Sequence, residues 1–305
     1  MVQKNNLDKV LIICGPTASS KSALAIECAK RLDTEVISAD SLYIYKKLNI
    51  GTAKPTKEEM DGVVHHLIDV VEPNEVFSVG QYREFAQPIV EKLISNGKIP
   101  IICGGTGFYI NSLIFELSYG KVSADLKTRE KYFQLATQYG NEYVYSVLKE
   151  KDPESAKTIH QNDIKRVIRA LEICETGVKK SEIIDDFIPK YDYRAFTVGY
   201  SRDVLYDRIN TRVDLMMENG LIDEVSSLVN SGLSLENQCM QGIGYKEVVS
   251  YLNNEISKEE LRELIKLNTR HYAKRQQTFF KKMKGLITLQ PDTIENMTEE
   301  ILKTL

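Results

Sequence analysis

The stretch that most restricts the fold is KVLIICGPTASSKSALAIECAKRL, residues 9–32. A short, unbroken apolar run meets a turn of small residues, and good helix formers follow Lys21-Ser22. An apolar run without polar alternation reads as a strand covered on both faces, the habit of parallel sheets. The turn nearly matches the phosphate-binding pattern G-x-x-x-x-G-K-[ST], in which backbone N–H groups wrap an anion at a helix N-terminus. Gly15, Pro16, Thr17, Ala18 and Ser19 form the turn; Lys21 would neutralise phosphate oxygens, and the Ser22 hydroxyl would reach a bound Mg2+. The departure is Ser20, where the pattern has glycine. If that position needs φ > 0, its Cβ costs about 1–2 kcal/mol, and much less in helical backbone.

Two more strand signals follow, EVISA (35–39) and IPIICGG (99–105), separated by a helical pattern that ends at Gly97. Pro88 falls inside that pattern, so a kink or break is expected there. Strands alternating with helices predict an α/β fold: a parallel sheet like that of the P-loop NTPases, with helices on both faces. Ligands of such sheets bind beyond the carboxyl ends of the strands, where the phosphate turn, Asp40 and the Gly-Gly turn at 104–105 all fall. From Lys121 the texture changes: residues 125–186 are polar, lysine-rich and helical in pattern. YRAFTVGY (193–200) then returns to the sheet, and helices follow, one opening with the capping box Ser257-x-x-Glu260. The expected organisation is a core of residues 1–120 and 191–305 with a helical insertion domain at 121–190.

Net charge is −3, so any nucleic-acid affinity must come from local charge. The five cysteines are scattered, without a C-x-x-C pair, which argues against zinc and against a disulfide framework. No run approaches the roughly 18 apolar residues of a membrane span, and MVQKNNLDK has no apolar stretch behind its charges. A cytoplasmic protein without membrane contact is expected.

Asp40 stands just past the second strand, beside the phosphate turn. A carboxylate there can hold Mg2+ through water, act as a general base, or simply cap a turn, a role open to Ser41 as well. Thr52 and Lys54 of GTAKP lie on a loop that can approach the same ligand, or face solvent. His65-His66 point to opposite faces of a strand, which disfavours a shared metal. Arg208 and Arg212 share one helix face and, on local grounds alone, would be laced to Asp207 and Asp214. Residues 264–291 contain no acid, and Lys266, Arg270 and Lys274 recur every four residues as a basic stripe. Such a stripe fits a phosphate backbone, though a solvated cationic face has the same look.

The blocks GPTASSKSALA, ISADSLYIYKKLNIGTAKP, HHLID, FSVGQYREFA, GGTGFYI, NDIKRVIRALEI, GIGYKE and NTRHYAKRQQTFF, in that order, resemble the tRNA dimethylallyltransferases, also called tRNA isopentenyltransferases. The resemblance runs from about residue 9 to residue 290. It implies transfer of the dimethylallyl group from dimethylallyl diphosphate to N6 of the adenosine 3′ of the anticodon in tRNA, with Mg2+ and release of diphosphate. It assigns the base to Asp40, sets Thr106 near the substrates, and puts Arg208 and Arg212 beside the diphosphate with the phosphate loop. It further implies that the tRNA anticodon stem-loop is gripped by residues 40–43 (Asp40, Ser41, Leu42, Tyr43) and Thr106, by Lys165, Arg166 and Arg169, and by Gln241, Tyr245 and Lys246; the basic stripe adds Arg270 and Lys274. A monomer is expected. Three other readings fit parts of the sequence: a small-molecule kinase with ATP in the loop, a prenyl transferase acting on free adenine nucleotides, and a silent RNA-binding descendant signalled by Ser20.

Overall fold

The computed structural model describes residues 7–117, 125–183 and 187–305. The chain divides into two compact units, Met1–Phe115 with Pro189–Leu305, and Glu116–Ile188. The expected junction at 120/121 and the opening MVQKNN lie outside the described residues.

The first unit is built on six strands: β1 (Lys9–Cys14), β2 (Val36–Ser38), β3 (His65–His66), β4 (Ile101–Gly104), β5 (Asp192–Val198) and β6 (Leu286–Leu289). They lie in the order β3-β2-β4-β1-β5-β6, and every pairing is parallel. Val10, Leu11, Ile12, Ile13 and Cys14 are all fully buried, so both faces of β1 are covered, as its unbroken apolar run demands. On one face Leu11, Ile13, Val36 and Ile101 pack against Leu24 and Cys28 of α1 (Lys21–Arg31). Each such leucine or isoleucine contributes about 1.5–3 kcal/mol when removed from water. The connections carry α2 (Lys57–Met60), α3 (Val79–Ser95) and α4 (Gly107–Ile114). The helix α3 starts at a complete capping box between Ser78 and Gln81 and runs through Pro88 without a break. Pro88 and Glu84, whose carbonyl loses its N–H partner, are both exposed, so water can satisfy that carbonyl.

The second unit is helical: α5 (Leu126–Tyr139), α6 (Asn141–Lys151), α7 (Pro153–Thr158) and α8 (Ile164–Cys174). Tyr132, Val144, Leu148, Val167, Ile168 and Leu171 form its core. Two buried carboxylates tie it together. Asp152 accepts from the N–H and hydroxyl of Ser155 and of Ser181 at 2.6–3.1 Å. Burial opposes its charge, but these four donors hold its carboxyl well below the usual aspartate range. Glu172 takes Arg129 at 3.1 Å, Arg169 at 2.5 Å and the Asp125 N–H at 2.6 Å.

The first unit closes with α9 (Arg202–Glu218), α10 (Leu221–Asn230), α11 (Tyr245–Leu252), α12 (Lys258–Phe280) and α13 (Ile294–Leu302). The Ser257–Glu260 box caps α12 as expected. The strand β6 is an addition: LITL is too short to announce itself, and becomes a strand by pairing with β5. Among the described residues no helix is long and apolar enough to cross a membrane.

Candidate active site

The loops that leave β1, β2 and β4 meet at the carboxyl edge of the sheet. Gly104 is what lets two of them touch, since a Cβ there would stand 2.2 Å from the Ala39 carbonyl oxygen. Between the loops, α9 and α12 lies a cleft of about 380 Å3, within the range of small-molecule sites. Its walls include Thr17, Lys21, Asp40, Arg212, Tyr272 and Gln276, with apolar surface from Leu42, Val213, Met216, Ile243 and Ile265. Asp40 is the one carboxylate among the lining residues, against four cations, Lys21, Arg212, Lys246 and Arg275. An anion and a group that surrenders a proton would both find their complement there.

The phosphate turn has the conformation its pattern requires, with Gly15 at φ 142°, Ala18 at 61° and Ser20 at 62°. Ser20 therefore takes the left-handed backbone that favours glycine, at a cost of about 1–2 kcal/mol. Ser19 Oγ donates to the Pro16 carbonyl at 2.8 Å and the Lys21 ammonium to the same carbonyl at 3.2 Å. Burial pushes the Lys21 pKa down, and an anion bound beside it would push it back up. Next to it, burial raises the Cys103 thiol to about 12, which leaves that sulfur protonated and unreactive.

Asp40 Oδ1 accepts the Leu42 N–H at 3.0 Å, closing a tight turn that points the carboxyl group at the cleft. Thr106, at the N-terminus of α4, accepts the Ser41 N–H at 3.1 Å and so fixes the same turn. Arg212 donates to Thr17 Oγ1 at 3.3 Å. Arg208 lies against the loop, donating to the Ala18 carbonyl at 2.8 Å and to Ser20 Oγ at 2.7 Å. Both arginines thus serve the loop, and Asp214, one of their two expected partners, instead pairs with Lys266 at 2.8 Å and Arg262 at 3.6 Å.

A smaller cavity of about 20 Å3 behind Asp40 is lined by Lys21, Ser22, Ser38, Asp40 and His65 among others. The Ser38 hydroxyl is buried and has no hydrogen-bond partner. Ser22, Ser38 and Asp40 give hard oxygen donors, which suit Mg2+ completed by phosphate oxygens and water. Among the described residues no group of three or more His, Cys, Asp or Glu could hold a metal, so an all-protein site is not the fit. The two histidines diverge, as adjacent strand residues must: His66 faces Glu35 at 2.5 Å and His65 the Val63 carbonyl at 2.9 Å.

Several residues singled out from sequence are engaged elsewhere. Lys54 is buried, donates to the Tyr45 carbonyl at 2.8 Å and pairs with Asp69 at 2.6 Å, so its charge is already engaged. Tyr245 is fully buried and donates to Glu224 at 2.7 Å, so it supports a loop and does not present a surface to RNA. Arg169 is held by Glu172, while Lys165 and Arg166 are exposed on α8. The basic stripe is broken: Lys266 is nearly buried between Asp214 and Glu263, Arg270 donates to Asn210 at 2.7 Å, and Lys274 stands exposed. Gln241 is exposed and Lys246 lines the cleft.

Two contributors escaped the sequence reading. Gln276 on α12 accepts the Thr17 N–H at 2.9 Å and donates to the Gly105 carbonyl at 2.9 Å, joining the two glycine-rich turns. Glu224 on α10 accepts the N–H groups of Asn49, Ile50 and Gly51 at 2.8–3.1 Å and holds that loop against the cleft. Neither residue has a local motif; only the fold brings them to their partners.

Comparison with known proteins agrees with this geometry. Residues 43–283 match the family described as IPP transferase. The tRNA dimethylallyltransferase of Acetivibrio thermocellus is 46% identical over 303 residues, covering 98% of this chain and 96% of the relative. That of Caldanaerobacter subterraneus is 45% identical over 313 residues, covering 97% of each. Among solved structures, the full-length tRNA isopentenylpyrophosphate transferase of Bacillus halodurans superposes with a TM-score of 0.73 at 39% identity, covering 97% of this chain and 96% of that one. A eukaryotic dimethylallyltransferase acting on tRNA gives 0.81 at 30% identity, covering 97% and 77%. With residues 43–283 matched to the family and 98% of the chain aligned with a relative 46% identical, the chain belongs to the IPP transferase family.

Proposed function

We propose that this chain transfers the dimethylallyl group of dimethylallyl diphosphate to N6 of the adenosine 3′ of the anticodon in tRNA. The observation that carries the reading is a single carboxylate, Asp40, among four cations, neutral polar groups and apolar surface in a cleft beside a phosphate loop. N6 attacks the C1 carbon of the prenyl group as the C1–O bond to diphosphate breaks. Asp40 takes the N6 proton, and the electron pair of the broken bond leaves on the diphosphate oxygen. The adenine amine is a weak nucleophile, because its lone pair is delocalised into the ring, so proton removal must accompany bond formation. Lys21, Arg212 and the loop N–H groups receive the charge that grows on the leaving group. Ser22 would hold Mg2+, with Ser38 and Asp40 lining the same small cavity; the ion would neutralise diphosphate oxygens.

The apolar walls fit a prenyl chain and exclude water, which would otherwise compete as acceptor. The adenosine must leave its stack to reach the cleft, so anticodon-loop shape contributes to selection. The helical unit would contribute Lys165 and Arg166 to the stem-loop phosphates, and α12 would contribute Lys274.

The test is transfer of labelled dimethylallyl from its diphosphate to tRNA in Mg2+ buffer. One diphosphate released per prenyl group on adenosine is expected. Prenylation of free adenine nucleotides in preference to tRNA, or phosphate transfer from ATP to a small hydroxyl compound, would overturn the reading.

A further inference from the structure

The loop residue that departs from its pattern meets Arg208 through its side chain. Ser20 Oγ accepts from Arg208 Nη2 at 2.7 Å and lies 3.2 Å from the Tyr200 hydroxyl. Arg208 Nε donates to the Ala18 carbonyl at 2.8 Å, and its guanidinium lies over the Tyr200 ring, 4.8 Å from the centroid. Ala18 and Ser20 are the two non-glycine residues of the loop with left-handed backbone, one residue apart. Left-handed residues at close spacing curl a loop so that its N–H groups converge on one side, where an anion sits. Arg208 bonds both of these residues.

Glycine at position 20 would adopt the same φ without strain, but would leave that guanidinium nitrogen without its oxygen. A methyl group there would keep the strain and lose the bond. The serine hydroxyl therefore compensates locally for its own Cβ. Resting on the proposed prenyl-transfer function, we propose that Ser20 is a positioning residue for the diphosphate: its hydroxyl locks Arg208 across Ala18 and Ser20, and the lock keeps the loop in its anion-binding curl in place of the glycine. The lock acts on the loop before substrate arrives, so its effect falls on diphosphate affinity more than on the chemical step.

The experiment is calorimetric binding of inorganic pyrophosphate, with Mg2+, to the full chain and to Ser20→Ala, Ser20→Gly, Arg208→Ala and the Ser20→Ala/Arg208→Ala double variant, each with its melting temperature. Ser20→Ala is expected to weaken pyrophosphate about tenfold, the scale of one hydrogen bond to a charged group. Ser20→Gly should weaken it by a few-fold while melting no lower than the natural chain, since strain is relieved as the bond is lost. In the Arg208→Ala background, Ser20→Ala should have little further effect on affinity. Pyrophosphate binding by Ser20→Gly as tight as, or tighter than, that of the natural chain would overturn the lock. So would a full tenfold loss from Ser20→Ala when Arg208 is already absent. A natural chain that binds no pyrophosphate would overturn the prenyl-transfer reading itself, a different result from either.

Discussion

Asp152 and Glu172, buried in the helical unit, and Asp40, half-buried in the sheet unit, are treated in opposite ways. In the helical unit Asp152 is closed off by four donors and Glu172 by two arginines and an N–H, so neither has capacity left for a ligand. In the sheet unit Asp40 accepts a hydrogen bond from Leu42 and opens onto a cleft with the Lys21 ammonium. A saturated carboxylate stabilises its surroundings, whereas an unsaturated one beside unpaired cations retains its interactions for a substrate. The difference separates residues that hold the protein together from those offered for chemistry, although both kinds are polar and shielded.

The contrast is sharpest at Asp40. Asp40→Ala is expected to lower turnover by about 10²–10⁴-fold, the usual worth of a positioned general base, with tRNA affinity within about twofold. Single-turnover transfer with a separate tRNA-binding titration measures both; strong residual turnover would break the comparison. Asp152→Ala should do the reverse, lowering stability by about 3 kcal/mol while pyrophosphate binding is unchanged. Chemical denaturation monitored by circular dichroism reads this loss. Because the folded-state pKa of Asp152 is depressed, its contribution is fully present above the ordinary aspartate value near 4 and lost as pH falls through the lower folded value. The natural chain should therefore lose stability more steeply than Asp152→Ala below about pH 4.

The smallest effect separates two lysines of one helix. Lys274→Ala should reduce the slope of log tRNA affinity against log salt by about one contact's worth, ~0.7–0.9. Lys266→Ala should leave that slope unchanged, because its ammonium is already paired with Asp214 and Glu263. Equal slopes for both variants would show that burial fails to distinguish them.

Much of the core was legible because its signals are local. The apolar run of β1, the small-residue turn, the Ser257 cap and the position of Asp40 after β2 each follow from a few adjacent residues. The same locality explains what was misjudged. The four-residue spacing of Lys266, Arg270 and Lys274 places them on one helix face, but not what that face meets, and α9 lies against it with Asp214 and Asn210. Pro88 predicted a kink or a break, and the break does not occur, because Glu84 is exposed to water, which the pattern cannot show. Tyr245 looked available to RNA in GIGYKE, yet its ring is buried and its hydroxyl is bound to Glu224.

By itself the sequence determined the parallel α/β core, the phosphate turn and the carboxylate at the sheet edge, since strand period, turn chemistry and capping act over a few residues. The tertiary structure alone decided which polar groups remain unpaired. Gln276 reaches Thr17 from 259 positions away and Arg208 reaches Ser20 from 188. Pairing is a property of distance in space, and it separates the lysine left for a phosphate from the lysine already neutralised.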